Sequence, residues 1–330
     1  MKELIKELVE AYGPSGQEGQ VRALIEKRVR DKADEMRVDT MGNLIALKKG
    51  TGGGKRLMLA AHMDEIGLIV THVDKRGFLR FGRVGGVLPM TLVGGRVRFA
   101  NGTVGVIGWE KWFQSNTLPA WKELFLDVGA TSADDVPVGV GDVAGFVRPF
   151  VDMGNRLAAK SMDDRIGCAI AVQTLLEMGD SPNDVYFVFT VQEEVGTRGA
   201  VVSAFGIEPE VGVALDVTTV GDIPEAHPMA VSLGDGAAIK VMDSGMLAHP
   251  GVKKWMIDTA EKLGIKYQLE VLELGGTDAR AMQMSRAGVP AGCLSVPCRY
   301  VHTPSEIVDY GDVQAAKQLL LGLVGREITL

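Results

Sequence analysis

Between Gly67 and about Asn155 the chain carries six short β-like runs, divided by Gly and Pro turns, and no convincing amphipathic helix. The runs are LIVTHV, FLRFGRV, GRVRFA, TVGVIGW, LFLDVGA and VAGFVRPF. Short strands at regular spacing with turn residues between them predict a small barrel or sandwich. On either side the pattern changes. VRALIEKRVRDKADEM is amphipathic with helical spacing and NLIALKKG reads as a short strand. From about Lys160 the helices RIGCAIAVQTLLEMG, GVKKWMIDTAEKLG, TDARAMQMSRAG and DVQAAKQLLLGLV alternate with the strands VYFVFTVQ, VGVALDV, YQLEVLEL and AGCLSVPC. Apolar strands alternating with helices imply an α/β layer on a mostly parallel sheet. At 330 residues the chain exceeds the size at which one core keeps growing. The expectation is therefore one α/β domain, residues 1–66 and 156–330, interrupted by an inserted β-rich domain at 67–155.

Charge and composition exclude several classes of function. A net charge of -7 argues against a dedicated nucleic-acid surface, which needs clustered excess Lys and Arg. No apolar run reaches the roughly 18 residues of a membrane span, and the charged start MKELIKELVEAYG reads as a helix rather than a signal peptide. Cys168, Cys293 and Cys298 cannot all pair within the chain, which favours a reducing compartment and a cytoplasmic location. GTGGGK lacks the strand-to-helix context and the Ser/Thr of a phosphate-binding loop. The insert's Trp109, Trp112, Phe113 and Trp121 lie around WEKWFQSNTLPAW, which reads as a long loop. They serve either as satellite core or as an oligomer contact.

Five segments each present a hard-metal or imidazole ligand at the end of an apolar run. They are His62 in LAAHMDEIG, Asp163 in KSMDDRIG, Glu193-Glu194 in TVQEEVGTRGA, Asp216 in VALDV and His302 in RYVHTPSE. Each has a bland reading. A His after an apolar strand is commonly structural, Asp164 suits a helix N-cap, and paired acids after a strand are commonly solvated. Asp216 stands out, because a charge at the end of VGVAL needs a partner. Taken together, two His and three carboxylates, with one acid to spare, suit a pair of divalent metals and a general base over a shared water. Consecutive side chains in an extended strand point to different sides, so Glu193 and Glu194 suit one ligand and one base better than a glycosidase pair. Asp64 is placed to accept a hydrogen bond from the second nitrogen of His62.

With AYGPSGQE, LGDGAAIKVMD and GGTDA added to these segments, nearly the whole chain resembles the M42 family of metallo-aminopeptidases, the tetrahedral group. The resemblance implies a phosphorylase/hydrolase-like α/β catalytic domain with a PDZ-like or barrel-like insert. It also implies dimers assembled into a hollow tetrahedral dodecamer, with short peptides as substrates. Carried over by position, His62 and Asp216 hold one metal (zinc or cobalt), and Glu194 and His302 hold the other. Asp163 bridges them and has a cis peptide to Asp164. Glu193 is the general base and Asp64 the partner of His62. Thr277 and Asp278 would line the substrate pocket.

One residue departs from the family's pattern. Arg280 follows GGTDA where the family commonly has a small side chain. It narrows the pocket, supplies a positive charge, or sits on the solvated face of its helix. The first predicts preference for glycine or small residues at the substrate's amino end, and the second for acidic ones. A related carboxypeptidase or amide deacylase could use the same ligands. A purely structural metal cluster fits less well, since structural sites are closed and sulfur-rich.

Overall fold

The computed structural model describes residues 1–113 and 117–330, so residues 114–116 of the expected Trp-rich loop fall outside the described residues. An 11-stranded sheet forms the larger layer. At its centre Asp184–Thr190, Arg56–His62, Val211–Thr218 and Ala291–Arg299 lie side by side and parallel. In Arg56–His62, Leu57, Leu59 and Ala61 join the core on one face while Met58 and Ala60 join that on the other. Burial on both faces explains why these strands read as unbroken apolar runs. The flanks of the sheet are antiparallel: Leu44–Lys48 pairs that way with Asp184–Thr190, and Glu306–Asp309 with Ala291–Arg299.

Helices Lys2–Glu10, Gly19–Val29, Met162–Glu177, Pro250–Leu263 and Tyr310–Val324 cover one face. Arg198–Ile207 and Asp278–Gln283 cover the other. Two helices are shorter than their periodicity predicts. The expected helix from Val21 to Met36 stops at Val29, because Glu35–Val38 is taken up as an edge strand on Leu44–Lys48. Tertiary pairing there outweighs local helix propensity. The expected helix from Thr277 to Gly288 is confined to Asp278–Gln283 and closes in a turn at Gly288, whose φ is 100°. Among the described residues no helix is long and apolar enough to cross a membrane.

The insert is a closed six-stranded barrel whose strands run from Gly67–Val73 to Val143–Phe146. Leu68, Val70, Phe81, Val97, Phe99, Ile107, Leu126 and Phe146 fill it. Trp109 belongs to this core and Trp121 packs against it, edge-on to Phe81 at 6.2 Å. Trp112 and Phe113 are exposed, so the expected core role holds for only two of the four aromatics. The chain re-enters the large sheet at Val151–Asp152, ahead of the expected boundary at 155.

Buried charge fixes the barrel to the sheet. Glu65, between strand Arg56–His62 and the first barrel strand, accepts from Lys160 Nζ and Ser161 Oγ, both at 2.6 Å, and from the Gly13 N–H at 3.1 Å. Arg165 lies 3.5 Å away. Burial lowers the Lys160 pKa to about 8 despite the pull of Glu65. Removing one member of such a cluster strands the other charges in the interior. Glu65→Ala is therefore expected to lower stability by about 3–5 kcal/mol, read as a shift in the denaturant midpoint.

Candidate active site

Register brings the ligand candidates together. Thr190 pairs with His62, and Ala214 with Ala60, so two residues further on Asp216 comes level with His62. Glu193 and Glu194 follow Thr190 just beyond the same edge. All lie at the carboxyl ends of parallel strands, where open α/β sheets place their sites. Asp163 arrives at the start of the helix packed beneath, and His302 from the turn after Ala291–Arg299.

His62 Nε2 lies 3.0 Å from Asp163 Oδ1, and His302 Nε2 lies 3.4 Å from Asp163 Oδ2 and 3.2 Å from Glu194 Oε2. Asp163 thus stands between the two imidazoles. Glu193 Oε2 is 3.9 Å from His62 Nε2. The Asp163–Asp164 peptide is cis. Ser161, Gln192 and His302, close to or within the ligand segments, have left-handed φ values of 56°, 56° and 63°. Non-glycine residues persist there only when the surroundings over-determine them, a pattern that clusters at functional sites.

Asp64 serves more of the site than expected. The second nitrogen of His62 donates to the main-chain carbonyl of Asp64 at 3.1 Å, while the Asp64 carboxylate is 3.6 Å from that nitrogen. The carboxylate is occupied elsewhere. It accepts the Glu193 N–H at 2.9 Å, the Glu194 N–H at 3.2 Å and Ser15 Oγ at 2.6 Å. Because a carbonyl can only accept, Nδ1 of His62 carries the hydrogen and Nε2 is left to face the carboxylates.

The donors form two groups, His62 with Asp164 and Asp216, and Asp163 with Glu194 and His302. Within each group the ligand atoms all lie within 4.8 Å of one another. Asp164 has two functions: Oδ1 accepts the Gly167 N–H at 2.9 Å and caps the helix, while Oδ2 is buried without a partner. Burial pushes the carboxyls of Asp164, Glu193, Glu194 and Asp216 above the usual range. Neighbouring acids add to this, Asp216 acting on Asp164 and Asp163 on Asp216, while the imidazoles oppose it. Asp163 differs: burial works against its charge, yet His302 and His62 hold it well below the usual range. So many buried carboxylates around two imidazoles call for added positive charge. Nitrogen and oxygen donors at this spacing fit divalent metal ions.

A cavity of about 910 Å³ opens over Asp163, Glu193, Glu194, Asp216 and His302. Thr277 and Arg280 line it. Asp278 is instead buried behind it, accepting from Thr190 Oγ1 at 2.5 Å. Sequence reasoning missed the second oxygen of Asp164, the role of Glu306 and a pair of glycines. Asp164 offers a free oxygen as well as a cap. Glu306 ties two ligand segments, accepting the Asp163 N–H at 3.1 Å and the His302 N–H at 3.0 Å; its place in HTPSE was the available signal. Gly85 and Gly86 bring the barrel backbone against Glu194 and His302, and the double glycine ending FGRVGG marked such a close approach.

Comparison with known proteins agrees with this arrangement. The family model described as "M42 glutamyl aminopeptidase" matches residues 42–319. A lysyl aminopeptidase of Pyrococcus furiosus is 37% identical over 338 residues, covering 98% of this chain and 96% of its own. An aminopeptidase from the archaeon Desulfurococcus kamchatkensis superposes with a TM-score of 0.94 at 40% identity, covering 98% of this chain and 94% of that one. The TET1 peptidase of Pyrococcus horikoshii, which can assemble into a tetrahedron or a large octahedral shell, gives a TM-score of 0.88 at 31% identity over 98% of both chains. A barrel set into an α/β sheet, acids and imidazoles gathered at its strand ends, and a match of this extent place the chain in the M42 family of aminopeptidases.

Proposed function

We propose that this chain is a dinuclear-metal aminopeptidase that removes amino-terminal residues from short peptides. The observation carrying this reading is Asp163 standing between His62 and His302, with Glu193 beside them under one cavity. His62 and Asp216 would hold one ion and Glu194 and His302 the other, with Asp163 bridging and Asp164 as a further donor. Zinc or cobalt suits this set of nitrogen and oxygen ligands. When bound, two such ions lower the pKa of a shared water and polarise the scissile carbonyl. Glu193 takes the water's proton on a carboxylate oxygen and returns it to the departing amine. Asp64 holds the Glu193 and Glu194 backbone in register with His62 through its two N–H acceptances. The substrate's free amino group lies against the carboxylate-rich end of the cavity, which limits cleavage to the first peptide bond.

Leu88, Met90, Val104 and Val106, together with Trp112 and Phe113, are exposed on the barrel. We read this domain as the dimer contact of a homo-oligomer, with the dodecamer as its closed form. Three buried free cysteines suit the cytoplasm.

Chelation is expected to abolish hydrolysis and added zinc or cobalt to restore it, with about two ions bound per chain by elemental analysis. A free-amine peptide is cleaved and its N-acetyl form is not. Activity confined to the acylated form would favour an amide deacylase, and release from the carboxyl end a carboxypeptidase. Full activity after metal removal would end all three readings.

A further inference from the structure

We propose that Arg280 binds a carboxylate of the substrate and so selects which peptides the cavity accepts. This rests on the aminopeptidase reading above and assigns a selective residue to the same site. Arg280 lines the cavity that holds Glu193 and His302. Its stem packs against Gly245, where an added β-carbon would meet Arg280 Cδ at 2.8 Å. The base of the side chain is thus held while its head is free. Among the described residues the Arg280 guanidinium has no ion-pair or hydrogen-bond partner, and the residue is exposed.

Its neighbours differ. Lys240, also on the cavity wall, is buried and paired with Glu270, with Asp243 3.9 Å away. Arg286 bonds Glu208 at 2.9 Å and the Phe205 carbonyl. Arg280 is therefore the unmatched cation on this wall among the described residues. A guanidinium presents five donors and no acceptor in a planar fork that matches a carboxylate. The exposed head of Arg280, without a partner among the described residues, favours the charge over the narrowing role. Two substrate carboxylates share the required chemistry: the side chain of an acidic first residue, and the terminal carboxylate of a di- or tripeptide.

Two isosteric comparisons separate these sources in the metal-loaded enzyme. One is the kcat/KM ratio of glutamyl-amide to glutaminyl-amide. The other is that of alanyl-alanine to alanyl-alanine amide. At least one ratio is expected to exceed about tenfold in the unsubstituted protein. That ratio collapses to near one in Arg280→Gln and is partly kept in Arg280→Lys. A raised first ratio identifies an acidic amino-terminal residue, and a raised second ratio the peptide's terminal carboxylate. Ratios near one in the unsubstituted protein, or a ratio that survives Arg280→Gln, would overturn the assignment. So would glycyl-amide preferred over both glutamyl- and glutaminyl-amide. Loss of turnover on every free-amine substrate would instead overturn the aminopeptidase reading, whereas brisk turnover of neutral amides with both ratios near one overturns only the role of Arg280.

Discussion

Glu193→Gln is expected to lower kcat on amino-terminal substrates about 10³-fold while the bound metal stays in place. The substitution keeps the size of the side chain and removes its ability to take a proton. The Glu193 N–H that donates to Asp64 at 2.9 Å belongs to the main chain, so the segment holds its position. Glu194, which faces His302 at 3.2 Å, is untouched. KM is expected to change little, because the lost interaction acts in the transition state. Elemental analysis alongside turnover separates the roles. Retained metal with lost turnover supports a proton acceptor, and loss of one ion would make Glu193 a ligand. Unchanged turnover with the metal retained removes it from the chemistry altogether.

Gly86→Ala is expected to be comparably damaging from within the barrel. A β-carbon at position 86 would lie 2.2 Å from His302 Nδ1 and 2.6 Å from Cε1, far inside van der Waals contact. The obstacle is the imidazole itself, and His302 is fixed at its own backbone by Glu306. Relief therefore requires the ring to swing away from Asp163 and Glu194, or the barrel loop to retreat from the sheet. Gly85 beside it sits as close to the other ligand segment, since a β-carbon there would meet Glu194 at 3.2 Å, so a retreat would withdraw the loop from both ligands. Misplacement by about 1 Å lowers rates roughly 100-fold in preorganised sites. We expect that loss or more in kcat/KM, with bound metal falling to about half by the same analysis. Gly139→Ala is the control, since nothing lies within 4 Å of a β-carbon there. A Gly86→Ala protein with full metal and undiminished turnover would show that the barrel loop yields freely.

Much of this was legible in the chain because each signal was periodic or local. The unbroken apolar run at Leu57–Ala61, the lack of an amphipathic helical pattern between Gly67 and Phe146, and the acids that end apolar runs are all carried by the local order of residue types. Contacts between segments were less legible. No local pattern shows that the Asp64 carboxylate serves the glutamate backbone, since that depends on a neighbouring strand's register. The length of the helix at Asp278 was overestimated because its apolar spacing continues past the turn at Gly288. The burial of Asp278 and the exposure of Arg280, two residues apart, depend on which face of that helix meets the sheet. Nothing local marks Glu65 and Lys160, 95 positions apart, as a buried pair, which forms only where the two domains join.

The barrel also bears on how the ligands find one another during folding. His62 and Asp163 are 101 positions apart in sequence and 3.0 Å apart in the structure. Nearly all of the intervening chain is the closed barrel with its own core. A flexible loop of that length carries a closure entropy that a compact intermediate removes, at about 2 kcal/mol for each tenfold shortening of the free chain. Once the barrel has closed, its first and last strands are paired at Gly67 and Gly145, and the free chain between the two ligands falls from about 100 residues to about 20. The insert thus acts as a staple that shortens the chain's longest detour.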